Sequence, residues 1–111
     1  MNWIELKEKE QLDKIKEKSF ERPQAIFKHS TRCSISSTAK NRLDKSEPAP
    51  GVDFYFLDLI RHRDISNEIA KDFHVYHESP QLLLIRNGEC IYDESHMGIS
   101  MDELSRHLPA A

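Results

Sequence analysis

The chain is poor in the parts that most catalytic and binding machinery needs. It has three glycines in 111 residues, Gly51, Gly88 and Gly98, and none of them belongs to a loop able to cradle a phosphate. Its two cysteines, Cys33 and Cys90, are too few for an all-thiolate zinc site. In a reducing compartment two thiols rarely form a structural disulfide. No apolar run approaches the roughly 18 residues of a membrane-spanning helix, so no membrane partner is expected. The stretch Met1 to Glu10 has neither an apolar core nor a cleavage-site pattern, so a secretory leader is not expected and the default location is the cytoplasm. Charge of one sign is not in excess either. There are 16 Lys and Arg against 19 Asp and Glu, a formal net charge of -3, with the two signs well mixed. That leaves no one-sided basic field for nucleic acid. Neither a catalytic carboxylate pair nor a Ser-His-Asp set stands out.

What is present reads as one small α/β domain. Hydrophobic residues make up 38% and charged residues 32%, enough for one modest core. Residues 1–111 are expected to form a single domain, with an N-terminal helix within residues 1–22 and a core spanning 25–108. Lys7 to Lys18 is dense in Lys and Glu, with Leu12 and Ile15 at helical spacing and Ile4 and Leu6 ahead of them. It reads as an amphipathic helix whose charges form a solvated face. Ala25 to His29 suits a strand. Ser30 and Thr31 are natural caps for a helix running from about Cys33 to Leu43. Ser46 to Gly51 is a loop by composition.

Val52 to Ile60 is almost continuously apolar and fits a central strand covered on both faces. Asp64 can cap a helix reaching Phe73. Gln81 to Arg86 and Glu89 to Asp93 flank Asn87-Gly88, the strongest short hairpin signal because both positions tolerate positive φ. Ser100 and Glu103 form a capping box before Met101, Leu104 and Leu108, and Pro109 ends that helix. Strands separated by helices pair in parallel and the late hairpin antiparallel. The expected architecture is a central mixed four-stranded sheet with helices on both faces.

Cys33 is the residue with chemistry to offer. It sits between a strand and the start of a helix, where unpaired N–H groups carry a partial positive charge of about half a unit. Arg32 adds a full positive charge beside it. Both favour the thiolate, the nucleophile in disulfide exchange. Thr31 and Ser34 line the same turn. Cys33-Ser34-Ile35-Ser36 has the spacing of a two-cysteine redox motif with serine in second place, and serine cannot resolve a mixed disulfide. Cys90, inside a strand leading away from Pro80, reads as a buried structural thiol. The pairs His29/Cys33 and His74/His77 do not make a metal site, and no metal is expected. His29 is close enough in sequence to tune Cys33.

Glu78-Ser79-Pro80-Gln81 places a proline at the head of a strand that runs into the Asn-Gly hairpin. With Cys33 before it, this resembles the thioredoxin superfamily signature, in which a cis-proline faces the active-site cysteine across the sheet edge. The resemblance covers about Ala25 to Leu108. It implies a thioredoxin-like fold and a Ser79-Pro80 ledge whose backbone receives an extended substrate segment. Phe27-Lys28-His29-Ser30-Thr31-Arg32-Cys33-Ser34-Ile35-Ser36 resembles, more closely, the YtxJ-type, bacilliredoxin-like family of monothiol proteins. His77 to Gln81 and Asp93 to His96 are similar to it too. That family's pattern has proline after the cysteine, where this chain has Ser34.

The resemblance implies reduction of mixed disulfides between proteins and the low-molecular-weight thiol bacillithiol. The nucleophile would be Cys33, with the small thiol as co-substrate and no bound cofactor. Two other readings stay open. One is an iron–sulfur site of the monothiol glutaredoxin kind, whose Cys-Gly-Phe-Ser motif Ser34 and Ile35 do not match. The other is a non-catalytic binding or stress-response module that uses only the Ser79-Pro80 ledge.

Overall fold

The computed structural model describes residues 1–109. In chain order the elements are β1 (Ile4–Glu5), α1 (Glu10–Lys18), β2 (Gln24–His29), α2 (Ser34–Lys45), β3 (Asp53–Asp58), α3 (Arg63–Asp72), β4 (Gln81–Arg86), β5 (Glu89–Ser95) and α4 (Met101–Arg106). A single 3-10 turn, His96–Gly98, precedes α4. The sheet order is β1-β3-β2-β4-β5. β3 runs parallel to both β1 and β2, while β4 is antiparallel to β2 and β5.

The sheet therefore has five strands, one more than the sequence predicts. The extra strand comes from residues assigned to the approach of the first helix. Ile4 and Glu5 are both exposed and only Leu6 beyond them is buried, so burial along this segment shows no strand alternation and the pairing alone defines it. Ile4 pairs with Tyr55, and the Leu6 N–H donates to the Phe56 carbonyl at 2.9 Å. This short strand covers an edge that β3 would otherwise present to solvent. The helix also starts later than its charge pattern suggests. The Gln11 side-chain oxygen Oε1 accepts from the N–H groups of Lys7 (2.7 Å) and Glu8 (2.9 Å), which holds that turn outside the helix.

Alternation along the strands builds two cores. Ala25, Phe27, Phe54, Leu82 and Leu84 face α2 and α4, meeting Ala39, Leu43, Met101 and Leu104. Ile26, Tyr55, Leu57, Leu83 and Ile85 face α1 and α3, meeting Leu12, Ile15, Ile65 and Ile69. Each fully buried aliphatic side chain contributes about 1.5–3 kcal/mol, so helices this short are held by packing more than by their own propensity.

Three helix starts show how local chemistry set the boundaries. The Ser100 hydroxyl accepts from Glu103 N–H at 3.1 Å, as the capping box predicts. The cap of α3 is His62, not Asp64, which lies inside the first turn. The cap of α2 is Cys33, not Ser30 or Thr31. At the hairpin, Asn87 and Gly88 take φ of 55° and 79°, as a two-residue turn there requires. Ser19, at the end of α1, binds this hairpin. Its carbonyl accepts from Asn87 N–H (2.9 Å) and the Arg86 guanidinium, and its hydroxyl accepts from Gly88 N–H (2.8 Å).

Candidate functional site

The site lies at the sheet end formed by the C-termini of β2 and β3 and the start of β4. β2 ends at His29, whose carbonyl accepts from Leu59 N–H at 3.0 Å. The chain then turns through Ser30, Thr31 and Arg32, and the turn is closed by Cys33 N–H donating to the Ser30 carbonyl at 3.2 Å. Cys33 is half-buried, with extended φ/ψ of -111° and 121°, at the cap of α2. The N–H groups of Ser34, Ile35 and Ser36 have no acceptor within the helix. No acidic side chain lies in that first turn, so nothing there competes with a sulfur anion for the positive end of the helix. Thr31, Arg32, Ser34 and Ile35 are all exposed around the sulfur.

Ser36 faces inward and is fully buried. Its Oγ accepts from Ser30 N–H at 3.0 Å and lies 2.6 Å from His29 Nδ1. The serine at the second-cysteine position thus ties the loop before Cys33 to the helix after it. His29 is 6% exposed, with ring centroids 5.9 Å from Phe27 and 5.4 Å from Phe56. Burial, reinforced by the Lys40 ammonium, pushes its pKa below the ordinary histidine value, which favours the uncharged ring.

Across the sheet, Gln81 pairs with Lys28. Pro80 therefore starts beside the last residue of β2, at the end from which the Cys33 loop departs. Pro80 is buried and its bond to Ser79 is cis. Neither the N–H nor the C=O of Ser79 bonds to another backbone group among the described residues. Its hydroxyl is buried without a partner among those residues.

Sequence reasoning missed the residues beneath this ledge. Gln81, 1% exposed, donates to the Tyr76 carbonyl (3.0 Å) and accepts from Glu78 N–H (3.4 Å), bracing the loop before Pro80. Lys28 is fully buried in the central strand, and its Nζ has no partner among the described residues. Burial pulls its pKa down to about 8, against a smaller pull upward from Glu78. Lys28 and Arg63 add to burial in holding His77 below its ordinary pKa. A lysine in the middle of the apolar run Ala25 to His29 was the available signal. Glu78 pairs at 3.3 Å with His96.

Cys90 lies elsewhere. It pairs with Ile85 near the hairpin, whereas the ledge end of the same ladder pairs Gln81 with Ser95. It is half-buried, not fully buried as expected, because β5 is an edge strand. Its thiol donates to the Tyr92 carbonyl at 3.3 Å. Burial, with Asp93 nearby, pushes its pKa up to about 11. Both cysteines are free. Among the described residues no three His, Cys, Asp or Glu side chains converge as a metal site, and no helix is long and apolar enough to cross a membrane.

Residues 4–104 match the family described as Monothiol bacilliredoxin BrxC. Among solved structures, a protein described as a candidate oxidoreductase with a thioredoxin fold superposes with a TM-score of 0.81 at 31% identity, covering 94% of this chain and 91% of that one. Thioredoxin from Malassezia sympodialis gives 0.71 at 17% identity, covering 96% of this chain and 90% of that one. Chlamydomonas reinhardtii thioredoxin f2 gives 0.72 at 16% identity, covering 99% and 100%. At those identities the two thioredoxins speak for the fold alone, and the fold is the thioredoxin fold.

Proposed function

This chain belongs to the monothiol bacilliredoxin family, and from that premise we propose that Cys33 removes a low-molecular-weight thiol of the bacillithiol type from protein mixed disulfides. The Cys33 thiol first loses its proton to solvent. Its thiolate then attacks the small-thiol sulfur of the mixed disulfide. The new S–S bond joins Cys33 to the small thiol, and the client cysteine leaves as a thiolate that takes a proton from water. A second, external thiol then attacks the Cys33 adduct and restores the enzyme, since no second cysteine lies within the motif. The client is reduced and the external thiol is oxidised, so electrons balance over the cycle.

The reading rests on one observation. The sulfur lies at an uncapped helix N-terminus with no acid in the first turn, and Ser36 fills the resolving position. Arg32 supplies further positive charge, and Thr31 and Ser34 shape the entrance. The free backbone groups of Ser79 beside Pro80 suit an extended client segment added as a strand. Proteins carrying mixed disulfides and the small thiol are the proposed partners, with no bound cofactor. The reducing cytoplasm is the proposed location.

The test is exposure of the protein to symmetrical disulfides of several small thiols, followed by mass spectrometry of tryptic peptides. A single adduct on the peptide Cys33–Lys40 is expected, formed fastest with the bacillithiol disulfide. Modification of Cys90 with Cys33 untouched would overturn the proposal. The free Ser79 backbone also favours a second reading, a peptide-binding module without catalysis. In that case a Cys33→Ser variant would hold client peptides as well as wild type while no adduct formed on the parent.

A further inference from the structure

We infer that Lys28 is the floor of a carboxylate-binding subsite for the small thiol carried on Cys33, covered in the free protein by the segment Tyr76 to Ser79 and rimmed by Arg63 and His77. The inference rests on the proposed exchange chemistry and names which part of the small thiol the protein grips.

Strand alternation fixes where Lys28 lies. Ile26 faces α1 and α3, and so does Lys28 two residues on. Its partner in the register is Gln81, two residues before Leu83 of the same face. Directly opposed side chains stand about 4.5–5.5 Å apart at Cβ, so Lys28 and Gln81 lie side by side. The Gln81 amide reaches the Tyr76 carbonyl and the Glu78 N–H, which carries that backbone over both strands' ends. α3 closes the flank. Ser66 Oγ lies 3.3 Å from His77 Nδ1, and Arg63 stands three residues earlier on the same helix. The Lys28 charge acts on His77 and on Glu78, as this placement requires.

Positive charge is in excess in this corner. Lys28 is fully buried, and its ammonium has no acceptor among the described residues. Arg63 is exposed and makes no ion pair among them. Glu78 is the acid that acts on Lys28, but its carboxylate is engaged with His96 at 3.3 Å. A second buried donor without a partner, the Ser79 hydroxyl, lies on the covering segment. A buried ammonium is costly unless paired. One kept at the sheet end that carries the reactive sulfur is accounted for by an acceptor that arrives with the ligand. A carboxylate brings the opposite charge and the lone pairs together.

The cover is lightly held. Among the described residues Tyr76, His77, Glu78 and Ser79 make no backbone–backbone hydrogen bond, and Tyr76 is 93% exposed. Its fastenings are side-chain contacts, those of Gln81, of His77 with Ser66 and of Glu78 with His96. Lifting it uncovers Lys28 next to the Ser79-Pro80 ledge.

The experiment uses the full chain carrying Cys90→Ser, so that Cys33 is its one thiol. Cys33 is converted to the thionitrobenzoate mixed disulfide. Added glutathione, or glutathione diethyl ester, then displaces thionitrobenzoate and leaves its own disulfide on Cys33. The two adducts differ only in the carboxylates. Carbon-13 NMR at the lysine ε positions follows the titration of Lys28, which should centre near pH 8 in the unmodified protein. An opposite charge on the ammonium favours its protonated form, so the midpoint should rise by about 1–3 pH units in the glutathione adduct. It should stay in place in the ester adduct. A second arm measures how fast Cys33 reacts with the disulfide of glutathione and with that of the ester. The acid-to-ester rate ratio should fall about tenfold in Lys28→Met, the worth of one lost charged hydrogen bond.

Equal Lys28 midpoints in the two adducts, or a rate ratio that Lys28→Met leaves unchanged, would overturn the inference. If Lys28→Met does not fold, the midpoints alone decide. Failure of the underlying exchange chemistry reads differently. Neither glutathione disulfide nor its ester then modifies Cys33, while the adducts loaded through thionitrobenzoate still report on Lys28.

Discussion

Replacing Lys28 with methionine should make the protein more stable at neutral pH, even though it removes a charge from the central strand. The ammonium is fully buried and has no hydrogen-bond partner among the described residues. Burial lowers its pKa from 10.5 to about 8. In an unfolded chain the ordinary value returns, so folding costs the charged form about 3 kcal/mol, at 1.36 kcal/mol per pH unit. The sign follows from proton uptake. Below about pH 8 both states are protonated and the full cost is present. Between about 8 and 10.5 the unfolded chain keeps a proton that the folded one has released, so stability climbs with pH. Above that range the cost is gone.

Methionine of similar length fills the same space without the charge, and replacing a buried ion with an apolar group is often stabilising. Glu78 does not become a buried orphan, since its side chain is 43% exposed and paired with His96. The expected gain is about 2–3 kcal/mol near pH 7, or roughly 10 °C in melting temperature for a domain of this size. It should shrink toward zero near pH 10.5. Chemical unfolding of both proteins at the two pH values measures this, and titrations common to both cancel in the difference. A variant no more stable than the parent at pH 7, or a gain that does not change with pH, would refute the reasoning.

Other outcomes follow from the same structure. In a Cys33→Ser background, Cys90 should alkylate about tenfold more slowly than an ordinary thiol near pH 7, since its pKa rises from 9.0 to about 11, which leaves about a hundredfold less thiolate while making that thiolate more nucleophilic. Labelling at the rate of the urea-unfolded chain would count against this. Tyr92→Phe removes a buried hydroxyl that has no partner among the described residues while keeping the ring stacked 4.0 Å from His107. Stability should hold or rise by about 1 kcal/mol, read by urea titration, and a clear loss would mean the hydroxyl has a partner. Ser100→Ala should cost about 1 kcal/mol through the lost cap on Glu103 N–H, and an unchanged melting temperature would show that the cap is dispensable.

The features legible in the sequence were those written in short segments. The Asn87-Gly88 hairpin, the Ser100/Glu103 cap and the strand–Cys33–helix passage each need only a few neighbouring residues to specify them. β1 was hidden because two paired residues carry too little periodicity, and a charge-rich helix stood next to them. The cap of α2 was misplaced because Ser30 and Thr31 are better cap formers than cysteine. What decides the cap is tertiary, since Ser36 draws the Ser30 N–H inward and leaves Cys33 at the helix end. The His29–Ser36 contact joins residues on different elements, and no spacing rule relates a strand's last residue to a helix's third. Lys28 was visible as a charge inside an apolar run, but a sequence cannot say which face of a strand will be sealed. Gln81 reads as an ordinary strand residue until the fold folds the Tyr76–Glu78 loop over it.

The Ser19 attachments fasten α1 to the β4–β5 turn at the pole of the domain farthest along the ladder from Pro80. Anchorage at that pole separates two mechanical duties within a very small body. The strands beneath the sulfur are thereby braced from the opposite end of the ladder. Amide exchange should accordingly be slowest through β4 near Ile85 and fastest from Thr31 to Ser34 and around Tyr76, a gradient of rigidity running from the fastened end to the Cys33 end.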